Sequence, residues 1–265
     1  MPLALKTFAT LNDADAALKA AGARYLGGGT LVVRAANEGD VSLTTFVRST
    51  DPALFSISVE GGRATIGASV TMSTIARHPD LAAIAPAARA VGGPAIRNMA
   101  TVGGNLFAPA PYGDFAVALL ALDAEVLEGD QATPIDAFLK ARDAAAGRIV
   151  SAVRFDVPEP KKFRFVKVAR VKPKGVSVLS IAVLLDEASD GTIRAARIAL
   201  GCMANRPMRA AAAEQALVGR QRTAEGIAPA LAVAGEGTAP ITDAIASAWY
   251  RAEVLPVHLG RLLLS

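Results

Sequence analysis

The chain has 265 residues, of which 52% are hydrophobic, so it is long enough for two domains and can bury a substantial core. Its formal net charge of +4 is small, and together with the apolar content this excludes a disordered protein. No apolar run reaches the roughly 18 residues that a membrane-spanning helix requires. The first residues lack a charged segment followed by a long apolar one, so we expect no signal peptide and a soluble, cytoplasmic protein.

The first half of the chain predicts short helices and strands that alternate with glycine-rich turns. The predicted elements are a helix over residues 11–21, a strand over 24–26, a helix over 31–37, a hairpin of strands over 55–59 and 64–68, and helical turns over 71–90. An apolar helix over 114–122, a strand over 124–127, a helical turn within 134–140 and a strand over 149–157 follow.

The segment from Pro158 to Lys162 breaks this pattern and marks the predicted domain boundary. We therefore predict one domain over residues 1–160, with lobes at about 1–55 and 56–160, and a second domain over 161–265. Strands are predicted over 163–171, 176–185 and 195–200, and helices over 208–217, 223–234 and from 242 onward. Strands followed by helices predict an α+β fold with a three-stranded sheet in the second domain.

Two glycine-rich segments carry the chemistry of the sequence. Gly92-Gly93 and Gly103-Gly104 bracket Thr101, and Asn105 follows directly. Glycines allow a ligand to approach the backbone closely, and exposed N–H groups bind anions. Residues 27–30 form a second such segment, Gly-Gly-Gly-Thr between a predicted strand and a predicted helix. Both segments predict phosphate binding, and the alternative is that they are only tight turns.

Signatures of other cofactors and of catalytic groups are missing. A dinucleotide fingerprint counted from Gly27 would need glycine at Val32, and no phosphate-loop, nucleophile-elbow or HExxH motif occurs. Cys202 is the single cysteine, which we expect to be buried, and one thiol cannot hold an iron–sulfur cluster. His78 and His258 lack the spacing of metal ligands, so no metal site is predicted. FAD is one ligand whose diphosphate could use both glycine segments.

The basic residues between Lys161 and Lys174 largely alternate with apolar ones. We interpret this segment as a strand with one solvated face, in preference to the alternative of a nucleic-acid-binding patch, so no nucleic-acid partner is predicted.

The sequence resembles the FAD-binding medium subunit of molybdenum hydroxylases, the xanthine dehydrogenase and carbon monoxide dehydrogenase family. The resemblance is carried by residues 26–31, LGGGTL, and by residues 96–106, IRNMATVGGNL, followed by Asp114 and the run ALLALDAEV. Later segments agree, including KVAR at 167–170, IALG at 198–201 and Tyr250-Arg251. The family fold is a two-lobed FAD-binding domain of the vanillyl-alcohol-oxidase (PCMH) type, followed by a C-terminal α+β domain.

The resemblance also implies a role for individual residues. Diphosphate binding is implied for Gly27, Gly28, Gly29, Thr30, Thr101, Gly103, Gly104 and Asn105, with Leu26, Leu31 and Val32 lining the site. Val91 and Gly92 would lie close to the cofactor, and Val150 near its adenine. Asp114 would bind the sugar or adenine end, and Lys167 would stabilise negative charge on reduced flavin.

Each of these roles has a structural alternative, and the sequence departs from the family at two positions. Asp114 could serve only as a helix cap, Val91 and Val150 as core residues, and Lys167 as a solvated strand residue. Leu31 stands where the family often has Asp or Asn. Gly175-Val176 replaces an acidic residue followed by an aromatic or aliphatic one, which leaves the electron acceptor open.

The function implied by the resemblance is electron transfer within a multi-subunit oxidoreductase. A large subunit would hold the molybdenum–pterin cofactor (molybdopterin) and a small subunit two [2Fe–2S] clusters, in a heterotrimer or a dimer of heterotrimers. FAD in this chain would pass electrons to NAD⁺, a quinone, oxygen or another acceptor, so no residue of the chain itself is assigned a catalytic role. The alternatives are a stand-alone PCMH-type flavin oxidase or reductase, and a flavin-free scaffold subunit.

Overall fold

The computed structural model describes residues 3–142, 147–171 and 175–265 of the chain. The described residues begin with a parallel three-stranded sheet in the order β1-β3-β2. Its elements are β1 (Ala4–Phe8), α1 (Leu11–Leu18), β2 (Ala23–Tyr25), α2 (Val32–Asn37) and β3 (Thr45–Ser49). Ala14 and Leu18 of α1 pack with Val47 of the central strand, which fixes the helix on the sheet. The sequence predicted α1, β2 and α2 but missed β1 and β3.

A five-stranded antiparallel sheet in the order β4-β5-β8-β6-β7 follows. Its strands are β4 (Ile57–Glu60), β5 (Arg63–Gly67), β6 (Glu125–Glu128), β7 (Gln131–Pro134) and β8 (Ala152–Asp156). Its helices are α3 (Met72–Ile75), α4 (Ala85–Ala90), α5 (Pro94–Arg97), α6 (Val102–Phe107), α7 (Asp114–Ala121) and α8 (Ile135–Lys140). The predicted hairpin of β4 and β5 is confirmed, and its turn uses Gly61 and Gly62 at φ of 57° and 80°.

The last part of the chain is an antiparallel sheet in the order β12-β11-β10-β9, with helices after it. The elements are β9 (Phe163–Ala169), β10 (Ser177–Glu187), β11 (Ile193–Gly201), β12 (Met208–Arg209), α9 (Ala211–Leu217), α10 (Ala224–Ala232) and α11 (Ala248–Leu264). The three predicted strands are confirmed, and the two-residue β12 adds a fourth where a helix was expected. α11 begins later than predicted because the Asp243 carboxylate accepts from the N–H groups of Ile245 and Ala246 and holds that segment in a turn. The α+β architecture is confirmed.

Helix α7 joins the second and third sheets. All of its residues are buried, and Phe115 and Leu119 share one core cluster with Ala182 and Ala199 of the third sheet. A helix that is apolar on every side is stable only in such an enclosed position. Its first residue, Asp114, is therefore carried into the junction between the two parts of the chain. None of the helices in the described ranges combines the length and apolar character that crossing a bilayer requires.

Candidate functional site

A cleft of about 1330 Å³ runs between the first sheet, the second sheet and the edge of β9. It brings together almost all of the residues that the sequence singled out. The predicted residues on its walls are Gly27, Gly28, Gly29, Thr30, Leu31, Val32, Val91, Gly92, Thr101, Gly103, Gly104, Asn105, Asp114, Val150 and Lys167. Leu26 instead lines a separate cavity of about 130 Å³ behind the glycine loop. Pockets of this kind, with a few polar groups on apolar walls, are typical of cofactor sites.

The first glycine loop, residues 27–30, leaves β2 and leads into α2. The Leu26 amide donates to the Val47 carbonyl oxygen at 2.7 Å and so ends the pairing with β3. Gly29 has φ of 73°, which turns the chain away from the strand. The N–H groups of Gly27, Gly28 and Gly29 donate to no backbone carbonyl in the described chain, yet they lie at the cleft. They are therefore available to an anion.

In the second glycine loop, residues 101–105, several hydrogen-bond donors are already used by acceptors within the chain. Thr101 caps α6, and its Oγ1 accepts from the Gly104 amide at 3.1 Å. The Gly103 amide donates to the Ala68 carbonyl oxygen at 2.8 Å, and Asn105 Nδ2 donates to the Thr101 carbonyl oxygen at 2.9 Å. The Thr101 hydroxyl keeps its own proton to donate. This loop can thus offer a hydroxyl donor and a smooth glycine surface to a ligand.

Thr101 lies where the two loops meet. A Cβ atom built on Gly27 would lie 3.0 Å from Thr101 Oγ1, and one built on Gly104 would lie 3.1 Å from the same atom. Glycine at both positions therefore lets one hydroxyl face both loops. The two segments, about seventy residues apart in sequence, form one continuous wall of the cleft.

Charged side chains close the cleft on the side of the third sheet. Lys167 Nζ lies 2.9 Å from Asp114 Oδ2, and the two side chains are only 11% and 7% exposed. Ser177 Oγ donates to Asp114 Oδ1 at 2.6 Å, and Lys167 Nζ donates to the Ala90 carbonyl oxygen at 3.0 Å. Lys167 is thus not a solvated strand residue. Asp114 does not cap its helix, because the N-cap position belongs to Gly113, at φ of 88°.

The predicted apolar site residues, and the positions where the sequence differs from the family, also lie at the cleft. Val91 is half-buried, while Val150 is 3% exposed and belongs to the main core as well as to the cleft wall. Gly175 and Val176 line the cleft next to Ser177. Lys172 and Lys174 of the basic segment lie outside the described residues.

Several side chains at the cleft were not predicted from the sequence. Arg34 Nη1 donates to Tyr112 Oη at 3.2 Å and links α2 to the loop before α7. Arg142 is 8% exposed, and its Nη1 donates to the Ala108 carbonyl oxygen at 2.8 Å. Tyr112 lies between the second glycine segment and Asp114 in the sequence, so its position was a usable signal. Arg142 and Ser177 carry no local pattern, since their place depends on the packing of distant segments.

Cys202 lies directly behind this side of the cleft. It is 6% exposed, as the sequence predicted, and its thiol donates to the Ser177 carbonyl oxygen at 3.5 Å. Burial raises the pKa of the Cys202 thiol to about 12, with a smaller contribution from the charge of Asp114. The thiol is therefore neutral and unreactive at physiological pH.

Comparison with known proteins gives matches over the whole described fold. A family model described as the FAD binding domain in molybdopterin dehydrogenase matches residues 4–159, and one described as the CO dehydrogenase flavoprotein C-terminal domain matches residues 164–265. The nicotinate dehydrogenase FAD-subunit of Eubacterium barkeri is 32% identical over 214 residues, covering 74% of this chain and 72% of the relative. The carbon monoxide dehydrogenase medium chain of Afipia carboxidovorans is 31% identical over 223 residues, covering 78% and 76%.

A solved structure agrees with these matches. A chain of the carbon monoxide dehydrogenase from Hydrogenophaga pseudoflava that lacks the Mo-pyranopterin moiety superimposes with a TM-score of 0.90 at 25% identity. The alignment covers 99% of this chain and 96% of that one. The similarity therefore extends over both glycine loops, α7 and the C-terminal sheet.

Proposed function

The chain belongs to the family of FAD-binding domains of molybdopterin dehydrogenases, and on that premise we propose that it is the FAD-carrying subunit of a multi-subunit molybdenum hydroxylase. One observation supports the cofactor assignment above the others. Two glycine loops far apart in sequence line one cleft, and the first presents backbone N–H groups that no backbone carbonyl of the described chain uses. A diphosphate between a flavin and an adenosine fits a site that is polar at its centre and largely apolar along its arms.

We infer the following distribution of contacts along FAD. The N–H groups of residues 27–29, the side chain of Thr30 and the Thr101 hydroxyl would hold the diphosphate. Gly103 and Gly104 would let it approach the second loop, with Asn105 fixing the loop's shape. Leu31, Val32 and Val150 would line the adenosine arm and Val91 and Gly92 the flavin arm, while Leu26 would support the first loop from behind.

Bound FAD supplies reversible uptake of two electrons, and the chain positions and tunes it. We propose that the electrons come from iron–sulfur clusters on a small partner subunit, and that a large subunit carries molybdopterin. The names of the relatives, an FAD-subunit and a medium chain, support this division. The single cysteine of this chain supports it too, since [2Fe–2S] clusters require several cysteine ligands. A heterotrimer, or a dimer of heterotrimers, is the assembly that we infer.

Two further assignments belong to the same proposal. We infer that residues 1–160 form the FAD-binding domain and residues 161–265 a C-terminal domain that closes the cleft through Lys167 and Ser177. We also infer a cytoplasmic location, because oxidising compartments favour disulfide-containing proteins and this chain has one buried cysteine.

Titration of the purified full-length chain with FAD tests the cofactor assignment. We expect one FAD per chain and a yellow protein after removal of free cofactor. Gly104→Val should lose the flavin, because a branched side chain would project toward Thr101 Oγ1, 3.1 Å from the position of its Cβ. Gly235→Val is the matched control, because a Cβ there meets no atom within 4 Å. A folded wild-type chain that is colourless once free FAD has been removed would refute the assignment and favour a scaffold role.

A further inference from the structure

The carboxylate of Asp114 is already engaged on both of its oxygens by side chains of the third sheet. Oδ1 accepts from Ser177 Oγ at 2.6 Å, and Oδ2 pairs with Lys167 Nζ at 2.9 Å. Ser177 is completely buried, and Asp114 is 6% exposed. A carboxylate held in this way has a fixed position and a fixed partner.

The position of the Lys167 side chain is fixed as well. Its ammonium group donates to the Ala90 carbonyl oxygen at 3.0 Å, next to the Val91-Gly92 segment that lines the cleft. Because Asp114 lies 2.9 Å away, the two charges largely cancel at any point more than a few ångströms distant. A ligand in the cleft therefore meets a positioned donor with little net positive charge. The resemblance implied a cation near the flavin at this position, without a counter-ion being named.

We propose that Asp114, positioned by Ser177, is the counter-ion that fixes the Lys167 ammonium group in the cleft and sets the reduction potential of the bound FAD through it. The inference rests on the proposed function, since it requires FAD in the cleft with the flavin at the Lys167 end. Because Asp114 lies 2.9 Å from Lys167, the proposal places Asp114 at the flavin end as well, in place of the sugar or adenine end that the resemblance implied. Reduction of FAD by two electrons and one proton leaves the flavin with a negative charge. Positive charge nearby favours that product, and a counter-ion that cancels it does the opposite.

Ser177 acts here as a positioning residue. Its hydroxyl donates to Asp114, and its own carbonyl oxygen accepts from the Cys202 thiol at 3.5 Å, so the serine is anchored at the start of β10. It is also two residues from Gly175, where the family often has an acidic residue. Asp114 therefore supplies the negative charge beside Lys167, and Ser177 fixes its position.

Three variants test the effect of each charge on the reduction potential of the bound FAD. In Asp114→Asn the ammonium group loses its counter-ion, and we expect reduced FAD to be favoured about tenfold, a rise of about 30 mV for a two-electron couple. In Lys167→Met the carboxylate is left alone, and we expect a shift of similar size in the opposite direction. In the double variant Asp114→Asn/Lys167→Met both charges are absent, and the potential should return close to the wild-type value.

Asp136→Asn is the matched control for net charge. Asp136 pairs with Lys140 at 2.6 Å, but these side chains are 44% and 57% exposed and do not line the cleft. The variant changes the charge of the chain by the same amount as Asp114→Asn and should leave the potential unchanged. Ser177→Ala retains both charges but releases Asp114, so a smaller rise than in Asp114→Asn is expected.

The measurement is a spectroscopic redox titration of the FAD-loaded full chain against a reference dye. Opposite shifts in the two single variants, with recovery in the double variant, support the proposal. An FAD-loaded Asp114→Asn variant that keeps the wild-type potential, as the Asp136→Asn control should, overturns the proposal, because the pair then does not act on the flavin. Failure of the proposed function is distinguishable, since the wild-type chain would then bind no FAD. If a single variant unfolds, a double variant whose potential differs from the wild-type value by about 30 mV or more also overturns the proposal.

Discussion

Gly28 of the first glycine loop lies directly against the backbone of Met99, just before the second loop, with no room for a side chain between them. A Cβ atom on Gly28 would overlap the carbonyl oxygen of Met99. Because backbone atoms cannot rotate away as a side chain can, a substitution must push the two loops apart. The absence of one carbon atom therefore sets the width of the cleft at the point where we place the diphosphate.

Gly28→Ala tests this relationship. We expect the free energy of unfolding to fall by about 1–3 kcal/mol, the usual cost of an overpacked position, and FAD affinity to fall with it. Chemical denaturation and FAD titration measure the two effects. Gly235→Ala is the control, because its Cβ would meet no atom within 4 Å. Wild-type affinity in Gly28→Ala would show that the spacing of the loops does not control binding.

Thr101→Ala should affect both stability and cofactor binding. Loss of the N-cap on α6 costs about 1 kcal/mol, and loss of a hydroxyl donor to an anion lowers FAD affinity roughly tenfold. Thr223→Ala is the matched control: Thr223 Oγ1 accepts from the Gly226 amide at 3.1 Å and caps α10, but it does not line the cleft. Both variants should lose similar stability, whereas only Thr101→Ala should lose affinity. Equal affinities would contradict a role for the hydroxyl.

The bond between Arg34 and Tyr112 should slow the release of FAD. It joins α2 to the loop before α7 across the cleft wall, at 3.2 Å, and Arg34 is oriented by Glu38 at 2.7 Å. Both residues are exposed, so the effect should be small: we expect Tyr112→Phe to speed FAD dissociation roughly twofold to fivefold. Stopped-flow fluorescence measures this rate. Arg194→Ala, which removes an exposed pair with Asp186 outside the cleft, should leave it unchanged.

Most of the site could be predicted from the sequence, because most of it is made by short segments with recognisable local patterns. Gly27–Gly29 and Thr101–Asn105 are recognisable because each needs small residues and a hydroxyl at fixed local positions. The strands β9 to β11 were predictable because each is a run rich in apolar and β-branched residues, and β10 is buried along most of its length. In contrast, β1 is almost entirely exposed along its length and has no apolar alternation to reveal it.

The contacts of Asp114 could not be predicted in the same way. They depend on how β9 and β10 pack on α7, and Ser177 lies 63 residues from the carboxylate that it binds. The basic segment predicted a solvated face for its strand, yet Lys167 is 11% exposed, because that edge of β9 is turned toward the cleft. The pattern of residues along a segment predicts a strand, but it does not predict which other parts of the chain cover that strand.

The Cys202 thiol makes a specific contribution to the dependence of stability on pH. Its pKa is raised from 9.0 to about 12 in the folded chain. The unfolded chain therefore loses this proton first as the pH rises. The stabilisation is complete below about pH 9 and is lost by about 1.4 kcal/mol per pH unit between about pH 9 and pH 12. Denaturation of wild type and Cys202→Ala at pH 8 and pH 10 measures the difference, and equal pH dependence in both would contradict the buried, neutral thiol.

The most direct test of the whole account is a crystal structure of the chain with FAD bound. We predict that one diphosphate accepts hydrogen bonds from the backbone of residues 27–29 and from the Thr101 hydroxyl, with the flavin at the Lys167 end of the cleft. A diphosphate that contacts only one of the two loops, or a cofactor bound outside the cleft, would contradict the account.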